Sequence, residues 1–241
     1  MIAPRAFNAV LSFTATAISL AFAVMVLQQY ARRRRPYQAV WGVALLLFGA
    51  GTGCQLAAEL VGWTALLYRI WYLTGAMLGA AYLGQGTVYL LAPRHAADLS
   101  CAVLVAASLV GLVLIAALPV DLARAIAGGA VTGNGFSPFL LILLIPLNTY
   151  GTLALVGGAL WSAYRGRGSR TMRRRTVGTF LIAVGGLTVA LGGTANRLGW
   201  PGLLYLSELI GIALIFLGYL QTTVPPAAQP AAGALPPDAV P

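Results

Sequence analysis

Seven blocks of apolar residues, each about twenty or more residues long, constrain this chain more than any other feature. They run from about Phe7 to Leu27, Ala39 to Val61, Ala65 to Leu91, Cys101 to Val120, Phe139 to Tyr164, Val177 to Asn196 and Leu203 to Gln221. A soluble core is assembled from shorter amphipathic stretches, whereas blocks of this length with few charges read as membrane spans. Of the 241 residues 59% are hydrophobic and 8% are charged, against about 25% charged in an ordinary soluble domain. Lipid offers no hydrogen bonds, so each span must satisfy its own backbone as a helix. The expectation is an all-α, polytopic membrane protein with seven transmembrane helices in one domain, residues 1–221. Residues 222–241 are rich in Pro and Ala with one charge. They cannot bury enough apolar surface to fold and read as a disordered cytoplasmic tail.

The arginines set the expected orientation, because short cytoplasmic loops collect positive charge. Loops after the first, third and fifth blocks hold Arg32, Arg33, Arg34 and Arg35, then Arg94, then Arg165, Arg167, Arg170, Arg173, Arg174 and Arg175. The other side has only Arg5, Arg69, Arg124 and Arg197. This imbalance predicts N-out, C-in in a bacterial cytoplasmic membrane. The positive charge also follows the first block rather than preceding it, which is the wrong order for a cleaved signal peptide. Arg32 to Arg35 and Arg173 to Arg175 are placed to meet anionic lipid headgroups at the inner leaflet. Topology and lipid account for these clusters without nucleic acid.

Several chemistries are excluded by what the chain lacks. All fifteen basic residues are Arg, so no lysine can form a Schiff base with retinal or an aldehyde. His95 is the one histidine and is expected in a loop. It can supply neither paired axial haem ligands nor a catalytic triad. No metal cluster, cofactor or enzymatic site is expected, and Cys54 and Cys101 are expected as free thiols.

An internal echo organises the rest. Gly62-Trp63-Thr64-Ala65-Leu66-Leu67-Tyr68 matches Gly199-Trp200-Pro201-Gly202-Leu203-Leu204-Tyr205 at five of seven positions. Each copy follows an apolar span and an arginine run, and Tyr30 and Tyr164 each close a helix just before Arg. This predicts parallel repeats, helices 1 to 3 recurring as 5 to 7 with helix 4 as linker, a 3+1+3 layout. The same aromatics also serve as interfacial anchors. The layout resembles that of the SWEET sugar transporters, although the Pro-Gln pair of their wider class is absent. The stretch 45–94, with Glu59, Gly62-Trp63 and the following Tyr68-Arg69-Ile70-Trp71-Tyr72, is similar to the seven-helix membrane modules at the N-termini of some bacterial sensor histidine kinases. That resemblance implies sensing, here without a catalytic output domain.

Charges inside spans cost about 2.5–3.5 kcal/mol each on insertion scales, so Glu59 and Glu208 call for an explanation. Arg69 opens the third helix and Arg197 closes the sixth, at similar depth. Two readings stay open: ion pairs locking helix 2 to 3 and helix 6 to 7, or a polar pocket opening outward around one carboxylate. Glu208 is the deeper of the two and the better functional candidate. Gln55, Tyr72, Asn148 and Tyr150 are placed to share such a pocket. Pro146 frees a mid-membrane carbonyl nearby. Gln85 reads as an interhelical hydrogen bond more readily than as a gate. Small residues at four-residue spacing, such as Gly75 with Gly79 and Ser207 with Gly211, mark close helix contacts. Ser12, Thr16 and Ser19 give helix 1 a polar inward face, and helix 4 should face lipid. Three functional classes follow: a sensory or ligand-binding module with a cytoplasmic partner, a small secondary transporter, or an accessory subunit of a membrane complex.

Overall fold

The computed structural model describes residues 2–127, 130–165, 173–200 and 202–223. They form seven long helical rods. These are α1 (Ile2–Arg33), α2 (Pro36–Val61), α3 (65–91), α4 (Arg94–Ala117), α5 (138–165), α6 (Arg173–Arg197) and α7 (Gly202–Thr223). Two rods carry a wide π-helical stretch, Tyr72–Gly79 in α3 and Leu153–Gly157 in α5.

Among the described residues, six rods are long and apolar enough to cross a membrane, which fits an integral membrane protein. The rod 65–91 falls outside that set. Its Tyr68, Tyr72 and Gln85 dilute its apolar character, yet all three are buried inside the bundle. Hydropathy penalises polar side chains that the fold turns inward.

The rods alternate in direction, giving the bundle two ends. One end holds the turns at Gly62-Trp63 and Gly199-Trp200, and the other holds Arg32 to Arg35 and Arg94. They are called here the tryptophan end and the arginine end. Local chemistry explains the turns: Pro36 starts α2, where its missing N–H costs nothing, and the Thr64 hydroxyl caps α3 by accepting from the Leu67 amide at 3.2 Å. Gly62 and Gly199 are the described glycines with positive φ, 91° and 99°. A side chain there would be strained, so the two echo copies share a backbone requirement as well as residues.

The rods pack in a ring, α1 on α2 on α3 on α5 on α6 on α7 and back to α1. α4 lies outside the ring, against α3 and α5. It buries only a narrow stripe that includes Ala97, Leu104, Gly111 and Ile115, and it exposes Leu99, Val103, Leu109 and Val113. Close seams rest on small residues: a Cβ added at Gly51 would come within 2.8 Å of the Gly75 Cα, and one at Gly185 within 2.6 Å of the Gly211 carbonyl. The polar face of α1 meets α2, with the Thr16 hydroxyl donating to Thr52 Oγ1 at 2.8 Å and Ser19 to the Leu45 carbonyl at 2.7 Å.

Two boundaries differ from the sequence reading. His95 lies in the first turn of α4 rather than in a loop, because that helix begins at Arg94 behind Pro93. α7 continues to Thr223, and the expected tail beyond it lies outside the described residues. The segment between α4 and α5 makes one helical turn (Leu122–Ala125) and a minimal antiparallel hairpin, Ile126–Ala127 with Ala130–Val131.

Candidate functional site

The connection from α4 to α5 does not hang free; it plugs the tryptophan end. Ala125, Val131, Thr132 and Phe136 are all buried. The Tyr68 hydroxyl donates to the Thr132 carbonyl and accepts from the Gly135 amide, both at 2.9 Å. Phe136 packs on Tyr68 and Tyr72 with ring centroids 5.5 and 4.9 Å apart. Tyr72 is thereby committed to anchoring the plug. Its spacing with Tyr68 puts both rings on one helical face.

Beneath the plug lies a cavity of about 430 Å³, walled by α2, α3, α5, α6 and α7, within the usual size range of small-molecule sites. Three residues that line it each keep a buried polar atom without a hydrogen-bond partner: Trp71 at Nε1, Asn196 at Oδ1 and Glu208 at Oε2. These residues are 2%, 3% and 8% exposed. Gln55 faces the Glu208 carboxyl but reaches no hydrogen-bonding geometry, and both of its polar side-chain atoms are unpartnered. Arg197 also lines the cavity, with its guanidinium against Gly133 of the plug. Asn148 lines it too, while its Nδ2 donates to the Ala76 carbonyl in the π-helical part of α3 at 2.8 Å.

The floor is closed. A Cβ at Gly84 would lie 2.6 Å from the Gly151 Cα, so α3 and α5 touch backbone to backbone. Gln85 donates to the Ala97 carbonyl at 2.8 Å and accepts from the Tyr150 hydroxyl, tying α3, α4 and α5 together. Tyr150 is thus a structural clamp and does not reach the cavity. Below, the Tyr219 ring packs tilted on Phe22 and edge to face with Trp41 around a void of about 10 Å³. The side wall is less complete. α5 packs on α6 mainly from Leu153 onward and touches it little over Leu141–Thr152. Ile145, Thr149, Leu153 and Thr194 line the cavity and are exposed on the outside of the bundle as well.

The expected ion pairs do not form. Among the described residues the salt bridges are Arg94 with Asp98 and Arg124 with Asp121. Glu59 instead accepts from Tyr205 at 3.0 Å and Asn8 at 3.4 Å, joining α2 to α7 and α1. Arg69, one residue past the inward-facing Tyr68, is rotated toward α4. It donates to the carbonyls of Ile115 and Ala116 there, where the end of a helix carries partial negative charge. Arg197 stays at the cavity, unpaired with Glu208. Of the eight sequence candidates, Asn148, Arg197 and Glu208 line the cavity with Gln55 beside Glu208, while Glu59, Arg69, Tyr72 and Tyr150 hold the walls. Trp71 and Asn196 were not anticipated, although each adjoins a polar or aromatic residue already singled out.

No family model, curated protein or solved structure matches the chain.

Proposed function

We propose that the chain is a ligand-binding membrane module of seven spans, N-terminus outside and C-terminus cytoplasmic, which reports occupancy of its cavity to a separate cytoplasmic partner. One observation carries this reading: Trp71, Asn196 and Glu208, from three different helices, line one cavity and each keeps a buried polar atom without a partner. A buried polar atom left unmade costs about 1–3 kcal/mol, and such groups in a concave, mostly apolar site are the usual mark of a binding site. The plugged tryptophan end and sealed floor support retention of a ligand.

The coupling follows from where the wall is weak. α5 and α6 are the helices that splay beside the cavity, and in sequence they are joined by the arginine-rich segment from Arg165 to Arg175. A ligand that draws them together would move the helix ends that carry that segment, the intended contact for the partner. The π-helical stretches of α3 and α5 lie near the cavity and give both helices a place to shift register. The ring of packing, in which α1 meets α7 as α3 meets α5, supports the 3+1+3 duplication with α4 as linker.

Native mass spectrometry of the chain, extracted from its own membrane in mild detergent, tests the reading. It expects a small-molecule adduct at one per chain that disappears in Glu208→Gln with the melting temperature preserved. Bare wild-type protein would contradict it. A secondary transporter is the second reading, favoured by the small void that shares Leu83, Leu155 and Ile215 with the cavity floor. It expects proteoliposome flux that Glu208→Gln abolishes.

A further inference from the structure

We propose that the cavity takes a single-chain amphiphile with an uncharged, hydroxylated head, and that this ligand arrives from the bilayer through the gap between α5 and α6. The inference rests on the ligand-site reading above and adds the ligand's class and its route.

The route follows from elimination among the described walls. Water at the tryptophan end meets the plug, where Val131 and Thr132 are buried and Gly133 lies against the Arg197 guanidinium. The arginine end is shut by the contact of Gly84 with Gly151 and by the rings beneath it. The side remains: Ile145, Thr149 and Leu153 of α5 and Thr194 of α6 belong to both the cavity lining and the outer surface. Across the gap α6 presents Ala190 and Gly193, and a Cβ added at Gly193 would meet nothing within 4 Å. The rim is mostly apolar and lies along a rod that is long and apolar enough to cross a membrane. A ligand using it must therefore be lipid-soluble over much of its length.

The head group follows from hydrogen-bond inventory. Trp71 Nε1–H can only donate and Asn196 Oδ1 can only accept, while the Glu208 carboxyl accepts or donates according to its protonation. The missing partner must bring at least one acceptor and one donor. An ammonium has no acceptor for Trp71. A phosphate would pair with the Arg197 guanidinium at the cavity but brings no donor for Asn196. Hydroxyl groups supply both functions at once. The apolar remainder of the lining suits an acyl or isoprenoid chain leading out through the gap.

The test uses the chain in phosphatidylcholine nanodiscs, with 1-oleoylglycerol and glycerol as probes, read by native mass spectrometry and by thermal melting. The variants are Gly193→Phe, which fills the gap; Gly157→Phe, on the exposed face of α5 with equally open space; and Glu208→Gln. We expect one oleoylglycerol per chain on the wild type and on Gly157→Phe, binding weakened about tenfold or more on both Gly193→Phe and Glu208→Gln, unchanged melting of the unliganded variants, and no glycerol adduct at the same concentration. Retained binding on Gly193→Phe, with loss on Glu208→Gln, overturns the route and leaves the site. Glycerol binding as tightly as oleoylglycerol overturns the bilayer source. An adduct indifferent to both substitutions, or no adduct on the wild type, overturns the ligand class. The copurified adduct sought above then decides separately whether the site reading falls with it.

Discussion

Gln85 and Gln55 are both fully buried glutamines in this bundle, and their surroundings differ in kind. Gln85 donates to Ala97, accepts from Tyr150 and thereby stitches three helices together. Gln55 has no partner on either polar atom and stands beside Glu208, which lines the cavity. The charged residues divide in the same way. Arg69 is spent on the carbonyl end of α4, whereas Glu208 keeps an unpartnered oxygen. Satisfied polar groups hold the arginine end and the outer helix in place. Among the described residues, five of the eight unpartnered buried polar atoms belong to Gln55, Trp71, Asn196 and Glu208, at or beside the cavity. The contrast teaches that polarity inside a span marks function only where the fold declines to satisfy it.

The comparison can be broken by substitution. The largest effect is expected at Gln85→Leu, which removes the two hydrogen bonds that tie α3 to the Ala97 carbonyl and the Tyr150 hydroxyl and should cost about 1–3 kcal/mol, read as a lower midpoint in SDS or thermal unfolding. A neutral result would place Gln85 in the same class as Gln55. Arg69→Met should cost less, about 0.3–1 kcal/mol for a lost charge at a helix terminus, with no effect on ligand capture. The smallest change in stability is expected at Gln55→Leu, within about 0.5 kcal/mol of wild type or slightly above it, because an unmade hydrogen bond is removed along with its desolvation cost. That variant should nevertheless lose the copurified adduct. Lost stability with the adduct retained would reverse the assignment of the two glutamines.

Much of this was legible in the sequence, for reasons that also show where legibility stops. The helical rods, the peripheral α4 with its apolar outer face and the inward polar stripe of α1 follow from apolar length and helical period, which are local properties. So does Gln85 as an interhelical bond. Glu208 could be singled out because a carboxylate at that depth is costly wherever it points. Its partners could not, since depth and sign say nothing about rotation about the helix axis. Arg69 and Glu59 lie at similar depth yet face different neighbours, one rotated toward α4 and the other toward Tyr205. The plug's hold on the bundle could not be read, because it depends on Tyr68 and Phe136 meeting across 68 positions of sequence. The side gap was invisible, being the failure of two helices to touch.

The central claim is that the cavity below the plug holds a molecule that completes Trp71, Asn196 and Glu208. A density map of the chain purified in nanodiscs with native lipid tests it most directly. The account predicts non-protein density within hydrogen-bonding distance of those three side chains and continuing between α5 and α6. Side chains repacked to close the cavity, with the Glu208 carboxyl bonded to a protein group, would contradict it.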